Sequence, residues 1–395
     1  MPHQVSVRKL SQTPNLDYEN AQVFLRQGQL IISKGEVARF TARGEARIEE
    51  LSRQWQEFLA EVEIASEVAA AGAGLIALTS ITFSANSDSE AVLIIPKTTT
   101  VIRDSECFTV EIDLPELPSP KTEVPSGSFV PGTLSANGFK DLVSNAIGRI
   151  GNSELEKVVL SRDLVLPIEA RPNLGPALHK LHARYPHCWT YAIGDVFGAS
   201  PELLLRAEAG EVSARVLAGT AARGTDPDVD RAIAEALSHS QKNLHEHRLA
   251  AQSMVERLEP FCEVVEADAE PFSLALPDLW HLATDVRGKL RTQVTLLDVI
   301  AELHPTAAVA GTPRRKAQAL IEELEPYDRA GYAGPVGWLS SDGSGELAIA
   351  LRGGVIEQNQ IRAFAGCGIV VESDPEAELE ETELKFRAVR HAFSS

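Results

Sequence analysis

The alternation of apolar and polar positions changes period several times along the chain. GQLIISKGEVARFTA (28–42) alternates as two short strands about a turn, and EARIEELSRQWQEFLAEVEIA (45–65) carries apolar residues at helical spacing. LIALTSITF and AVLIIPKTTTVI predict further strands. Five prolines between 115 and 131, in LPELPSPKTEVPSGSFVPGT, preclude sustained regular structure and predict a linker or long crossing loop over 114–135. Beyond it, a helix over 136–150 precedes the strand EKVVLSRDLVL, and another helix follows at 173–185. CWTYAIGDVFGASPELLLRAEAGEVSARVLAG reads as a meander of strands joined by Gly-containing turns. One helix is predicted over 226–258, and helix and strand alternate from there to a last acidic helix at 375–392. Strands grouped in meanders, with long helices between the groups, predict an α+β layered architecture and not a regular βαβ repeat.

Composition narrows the function classes. At 395 residues the chain exceeds the size at which one core stops growing, so one composite domain or two both fit, and 44% hydrophobic content supports a real core. No apolar run reaches the roughly 18 to 20 residues of a membrane span, and MPHQVSVRKLSQ lacks the apolar region of a signal peptide, so the expected location is cytoplasmic. Cys107, Cys188, Cys262 and Cys367 are far apart with no CxxC pair, which suits free thiols in a reducing compartment and argues against structural zinc. A net charge of −19 argues against nucleic acid or an anionic membrane as partner. A small anion would need a local cluster of cationic groups, backbone N–H groups or a divalent cation.

Within SQKNLHEHRLAAQS (240–253), consecutive helical residues turn by about 100°, so His245 and His247 point apart and cannot close on one ion. Glu246 remains, with Lys242 one turn before it. Lys157 heads the apolar strand in LEKVVLSRDL, where it is either a base lowered in pKa by burial or a lysine snorkelling from a strand end. Glu202, past the Ser-Pro turn of FGASPELLLR, is either a buried general acid or a solvated turn carboxylate. Gly219 and Thr220 in VLAGTAARG, and Gly366 and Gly368 in FAGCGIV, sit at strand ends where glycine admits a ligand or simply makes a turn. Glu378 and Glu381 share a helical face with Lys385, as a solvated charge run or as a hard-cation site completed by Glu246. Arg352, beside two glycines, could fork a carboxylate or end an edge strand.

Taken in order, the blocks EKVVLSR, SPELLLR, LAGTAARG, KNLHEH, ELHPTAAVAGTP, GYAGPVGW, LAIALRGG, FAGCGIV and ELEETELK resemble the chorismate-utilising enzymes. That family includes isochorismate synthase, salicylate synthase, anthranilate synthase component I and aminodeoxychorismate synthase component I. The resemblance is strong over 136–395, the expected chorismate-binding catalytic region. Residues 1–135 match only in general character and are expected to form the N-terminal part of a composite fold. The implied fold is an α+β sandwich of large antiparallel sheets with helices outside. The resemblance further implies that Lys157 is the base activating water at C2 of chorismate, and that Glu202 is the acid at the departing C4 hydroxyl. It implies Mg²⁺ on Glu246 and Glu381 with Glu378 alongside, and Tyr332 and Arg352 at the enolpyruvyl carboxylate. Gly366 would offer backbone N–H, Gly219 and Thr220 would line the ring, Lys385 would approach the ring carboxylate, and His281 would sit in the pocket with its role open.

Ammonia-using members typically hold glutamine at the position of Lys157, so the lysine favours water as nucleophile and hence isochorismate or salicylate synthase. Ala218 stands where the aminodeoxychorismate branch often has a nucleophilic lysine, and the His-Pro-Thr of ELHPTAAVAGTP resembles the isochorismate synthase version. The implied enzyme is therefore a Mg²⁺-dependent isochorismate synthase, expected as a monomer, serving menaquinone or siderophore synthesis. The alternatives are salicylate synthase, an amine-transferring member, or a catalytically silent chorismate-binding protein. Two residues depart from the pattern: Asn243, where relatives often carry Asp or Glu, and Cys367, where alanine is common.

Overall fold

Two large sheets, antiparallel apart from one edge pairing, dominate the computed structural model, which describes residues 2–14, 16–103, 106–152 and 154–394. Among the described residues they hold 13 and 10 strands, with eight α-helices. In the larger sheet, Lys157–Pro167 pairs with Gln360–Ile369, which leads through Gly353–Ile356 and Val196–Ser200 to Trp189–Ile193. That last strand joins Gln22–Arg26 in the register Thr190 to Leu25 and Tyr191 to Phe24, so the first part of the chain continues the same sheet. The smaller sheet joins in the same way, where Pro335–Ser340 pairs with Ile76–Ser80. One core cluster takes Leu160, Trp189 and Tyr191 from the larger sheet and Leu204, Val216, Trp338 and Leu347 from the smaller, the signature of two sheets packed face to face.

Helices cover this sandwich and bring in the polar groups. The last, Pro375–Ala392, is capped by the Asp374 side chain, which accepts from Glu376 N and Ala377 N, and has proline at its start and acidic residues in its first turn. These features satisfy orphan amides and complement the helix dipole. The helix packs on Gln360–Ile369 and so presents Glu378, Glu381 and Lys385 to that strand. Helix Gln241–Leu258 buries Glu246, His247, Ala250, Met254 and Leu258 against the long strand pair Glu211–Ala222 and Leu279–Leu290.

The helix expected over 226–258 is two helices, Pro227–His239 and Gln241–Leu258, with Ser240 extended between them and its hydroxyl accepting from Asn243 N. The strands expected in 28–42 do form, as Gln29–Lys34 and Ala38–Ala42, but in different sheets, each paired to a distant strand. The helical stretch of 45–65 stops at Leu59, and its remainder becomes the edge strand Val62–Ser66. The proline-rich crossing keeps a short strand, Val130–Pro131, against the Lys157 strand.

Candidate active site

Strand Lys157–Pro167 is buried along almost its whole length, and its period of two sorts the side chains. Val158 and Leu160 enter the inter-sheet core, while Val159 lines a cleft of roughly 680 Å³, open mouth included. Lys157 lies just behind the cleft wall, fully buried, with Nζ 3.1 Å from Glu246 Oε1. The two can meet because residue 368 is glycine: a Cβ there would stand 2.8 Å from Lys157 Cε and 2.3 Å from Glu246 Oε1.

Glu202 occupies the corner where the chain leaves Val196–Ser200 in one sheet for Leu203–Glu208 in the other, and it lines the cleft. Burial pushes its carboxyl up to about 8, against the opposing pull of Lys157, Lys385 and Arg352. A carboxyl at that value is still mostly protonated at neutral pH, which is the form a general acid needs.

Three carboxylates each hold a lysine. Glu246 faces Lys157, Glu378 accepts from Lys242 Nζ at 2.7 Å, and Glu381 accepts from Lys385 Nζ at 2.6 Å. Glu246 and Glu381 line the cleft; Glu378 is buried behind it. Burial and the neighbouring Glu381 push the Glu378 carboxyl up. At Glu381 burial also pushes upward, but Lys385, with Lys242 and Arg352 behind it, holds the carboxyl below its ordinary value. Among the described residues no three His, Cys, Asp or Glu side chains stand close enough to bind an ion unaided. Mg²⁺ does not demand that, since it commonly uses one or two protein carboxylates, keeps waters and completes its shell with an anionic ligand. Glu246 and Glu381, on separate helices at one cleft, fit such a site.

The opposite side of the cleft is equally defined. Arg352 is half-buried in the cleft wall with φ +55°, a left-handed backbone that a non-glycine residue rarely adopts. Its NH2 donates to His281 Nε2 at 2.8 Å, and His281 Nδ1 stands 3.1 Å from Thr220 Oγ1. Thr220 lies directly opposite His281 in the sheet because the register shifts between Ala218 and Thr220, leaving Gly219 as the bulged residue at φ +80°. Asn243 Cβ would be 3.0 Å from any Cβ on Gly219, so glycine alone satisfies both the backbone and the approach of the helix. Tyr332 stacks on Phe364, ring centroids 4.9 Å apart, and burial pushes its phenol up to about 12. Lys385 also donates to Gly366 O at 2.7 Å.

Glu202, Gly219, Thr220, Glu246, His281, Tyr332, Arg352, Gly366, Glu381 and Lys385 therefore share one cleft, with Lys157 and Glu378 immediately behind it. His245 is exposed, and His247 bonds Ala218 O and Thr284 Oγ1, so neither histidine of the pair lines the cleft. Sequence reasoning gave no part to Arg329, a cleft-lining cation buried in an ion pair with Glu325 and donating to Val159 O and Val309 O. Its one local signal is the i, i+4 spacing of Glu325 and Arg329, which also describes a surface helix pair. Phe364 and a direct role for Gly368 were missed because their partners are distant in sequence.

The sequence pattern described as "Chorismate binding enzyme" matches residues 118–394. Isochorismate synthase MenF of Bacillus subtilis is 34% identical over 308 residues, covering 77% of this chain and 63% of that protein. Isochorismate synthase EntC of Escherichia coli is 37% identical over 260 residues, 65% of this chain and 66% of that one. The chain thus spans just under two thirds of the length of these two relatives. Among solved structures, a Bacillus anthracis protein assigned as a 2,3-dihydroxybenzoate-specific isochorismate synthase, DhbC, superposes with a TM-score of 0.81 at 27% identity, covering 96% of this chain and 97% of that one. Anthranilate synthase component I from Streptococcus pneumoniae shares the fold, with a TM-score of 0.68 at 20% identity over 99% of this chain and 93% of that one.

Proposed function

Because this chain belongs to the chorismate-binding enzyme family, we propose that it is a Mg²⁺-dependent isochorismate synthase, converting chorismate to isochorismate. The observation that carries the reading is Glu202, a buried carboxyl pushed up to about 8, lining the same cleft as Glu246, with Lys157 paired to Glu246 just behind the wall. In the forward direction the Lys157 amine takes a proton from water as its oxygen bonds to C2 of the ring. Glu202 gives its proton to the C4 hydroxyl, which departs as water while the ring double bonds shift. One water enters and one leaves, so the reaction is an isomerisation that runs readily in both directions.

Chorismate is a dianion and the protein carries a net charge of −19, so binding depends on local positive charge. Arg352, with Tyr332 beside it in the cleft, would receive the enolpyruvyl carboxylate. Glu246 and Glu381 would hold Mg²⁺, whose charge would neutralise the ring carboxylate. Lys385 keeps Glu381 ionised and ready for the ion. A lysine at 157 supports water as the nucleophile over ammonia.

The test is incubation with chorismate and Mg²⁺, coupled to an isochorismate-consuming lyase. Coupled turnover supports the proposal. Chorismate binding without turnover supports a silent binding protein, and fluorescent salicylate without added lyase supports salicylate synthase.

A further inference from the structure

Arg352 is a half-buried, cleft-lining cation whose side-chain partner is not a carboxylate but an imidazole. A guanidinium has donors only, so His281 Nε2, 2.8 Å away, must be the bare nitrogen of the ring. The proton of the neutral imidazole then belongs on Nδ1, which faces Thr220 Oγ1 at 3.1 Å. We infer that His281 is a positioning residue: its Nε2 lone pair anchors the Arg352 guanidinium for the substrate carboxylate, leaving the ring no free lone pair with which to act as a base.

The choice of partner follows from charge. An aspartate or glutamate would hold Arg352 as firmly but cancel the positive charge that an anion requires, whereas a neutral acceptor leaves it intact. The surroundings keep the imidazole neutral: it is buried, Arg352 and Lys385 oppose a further positive charge, and together these outweigh its backbone bond to Gly219. Geometry fixes its orientation too, since the sheet register sets Thr220 opposite His281 and the bulge at Gly219 sets the distance. The left-handed backbone of Arg352 adds to the need for an anchor, because the main chain there is not in its preferred conformation.

The inference rests on the reading that Arg352 receives a substrate carboxylate, and its test separates the two. Chorismate binding is measured by calorimetry with Mg²⁺ present, alongside kcat, in His281→Leu and His281→Gln; the ring nitrogens of His281 are followed by nitrogen-15 NMR in the unaltered protein. The leucine should weaken chorismate binding about tenfold or more, with kcat within about threefold. Glutamine, whose amide oxygen can accept from Arg352, should restore binding to within about threefold of the unaltered protein, and the pH profile of kcat should keep the same limbs in all three. The NMR signals should show a neutral ring protonated on Nδ1 between about pH 6 and pH 9. A fall in kcat of about a thousandfold in both variants with loss of a limb, or a proton found on Nε2, would overturn the inference. If the unaltered protein binds chorismate without turnover, the proposed activity fails while binding and the nitrogen signals still decide the role of His281. If chorismate does not bind, the nitrogen signals alone decide it.

Discussion

Glu202 is held in a state that favours chemistry over stability. Its folded value, about 8, lies above the ordinary 4.5, so the native chain keeps a proton that the unfolded chain releases as pH rises through that window. Stability contributed by this group is complete below 4.5 and is lost progressively up to about 8, at no more than about 1.4 kcal/mol per pH unit. Glu202→Gln, which cannot ionise, should therefore raise Tm relative to the unaltered protein at pH 8.5 but not at pH 4.5, as differential scanning calorimetry can show. The same variant should lose on the order of 10²–10⁴ in kcat, and kcat of the unaltered protein should decline as pH rises through about 8. Gly368→Ala should leave the fold in place and cost activity about a hundredfold, since its methyl would displace both Lys157 and Glu246. Retained activity in that variant would mean the Lys157–Glu246 contact is dispensable. Lys157 and Glu202 stand in recognisable blocks, so their placement at one cleft, though not what they do there, was legible in the sequence. Lys242 was visible one turn before Glu246, but its partner Glu378 lies 136 residues away and nothing local pairs them.

The elements show the same division between local and distant information. Helices 136–150 and 375–392 match the structure to the residue, because apolar periodicity, caps and flanking breakers are all local signals. The break at Ser240 was missed because helical periodicity runs through it, and the serine's capping of Asn243 was outweighed by the surrounding helix formers. This break sets where the Glu246 helix begins. Ser240→Ala should cost about 1 kcal/mol in chemical denaturation and, by loosening the first turn, weaken Mg²⁺ binding severalfold in calorimetry. Unchanged Mg²⁺ affinity would show that tertiary packing alone places Glu246. Strands Gln29–Lys34 and Ala38–Ala42 were legible as strands but not as members of different sheets, since strand partners follow from long-range packing.

At the scale of the whole molecule, the proline-rich crossing at 114–135 looks like a boundary in sequence, yet both sheets continue from one side of it to the other. A protein beginning at residue 136 would expose the edges of Trp189–Ile193 and Pro335–Ser340, and should show no cooperative unfolding transition in circular dichroism. A cooperative, soluble fragment would mean that residues 136–395 fold alone. Charge also acts at this scale. With a net charge of −19, the dianionic substrate should need Mg²⁺ to lower the repulsion it meets, and by linkage the bound dianion should tighten Mg²⁺ binding. Glu381→Gln should weaken both together; an unchanged Mg²⁺ titration would remove that residue from the cation site. The central claim, that water adds at C2 while the C4 hydroxyl leaves, is tested most directly by running the reaction in oxygen-18 water and locating the label by NMR and mass spectrometry. The account predicts isochorismate carrying solvent oxygen at C2 from the unaltered protein and no product from Lys157→Gln. Product whose C2 oxygen is unlabelled, or undiminished turnover in the lysine variant, would contradict it.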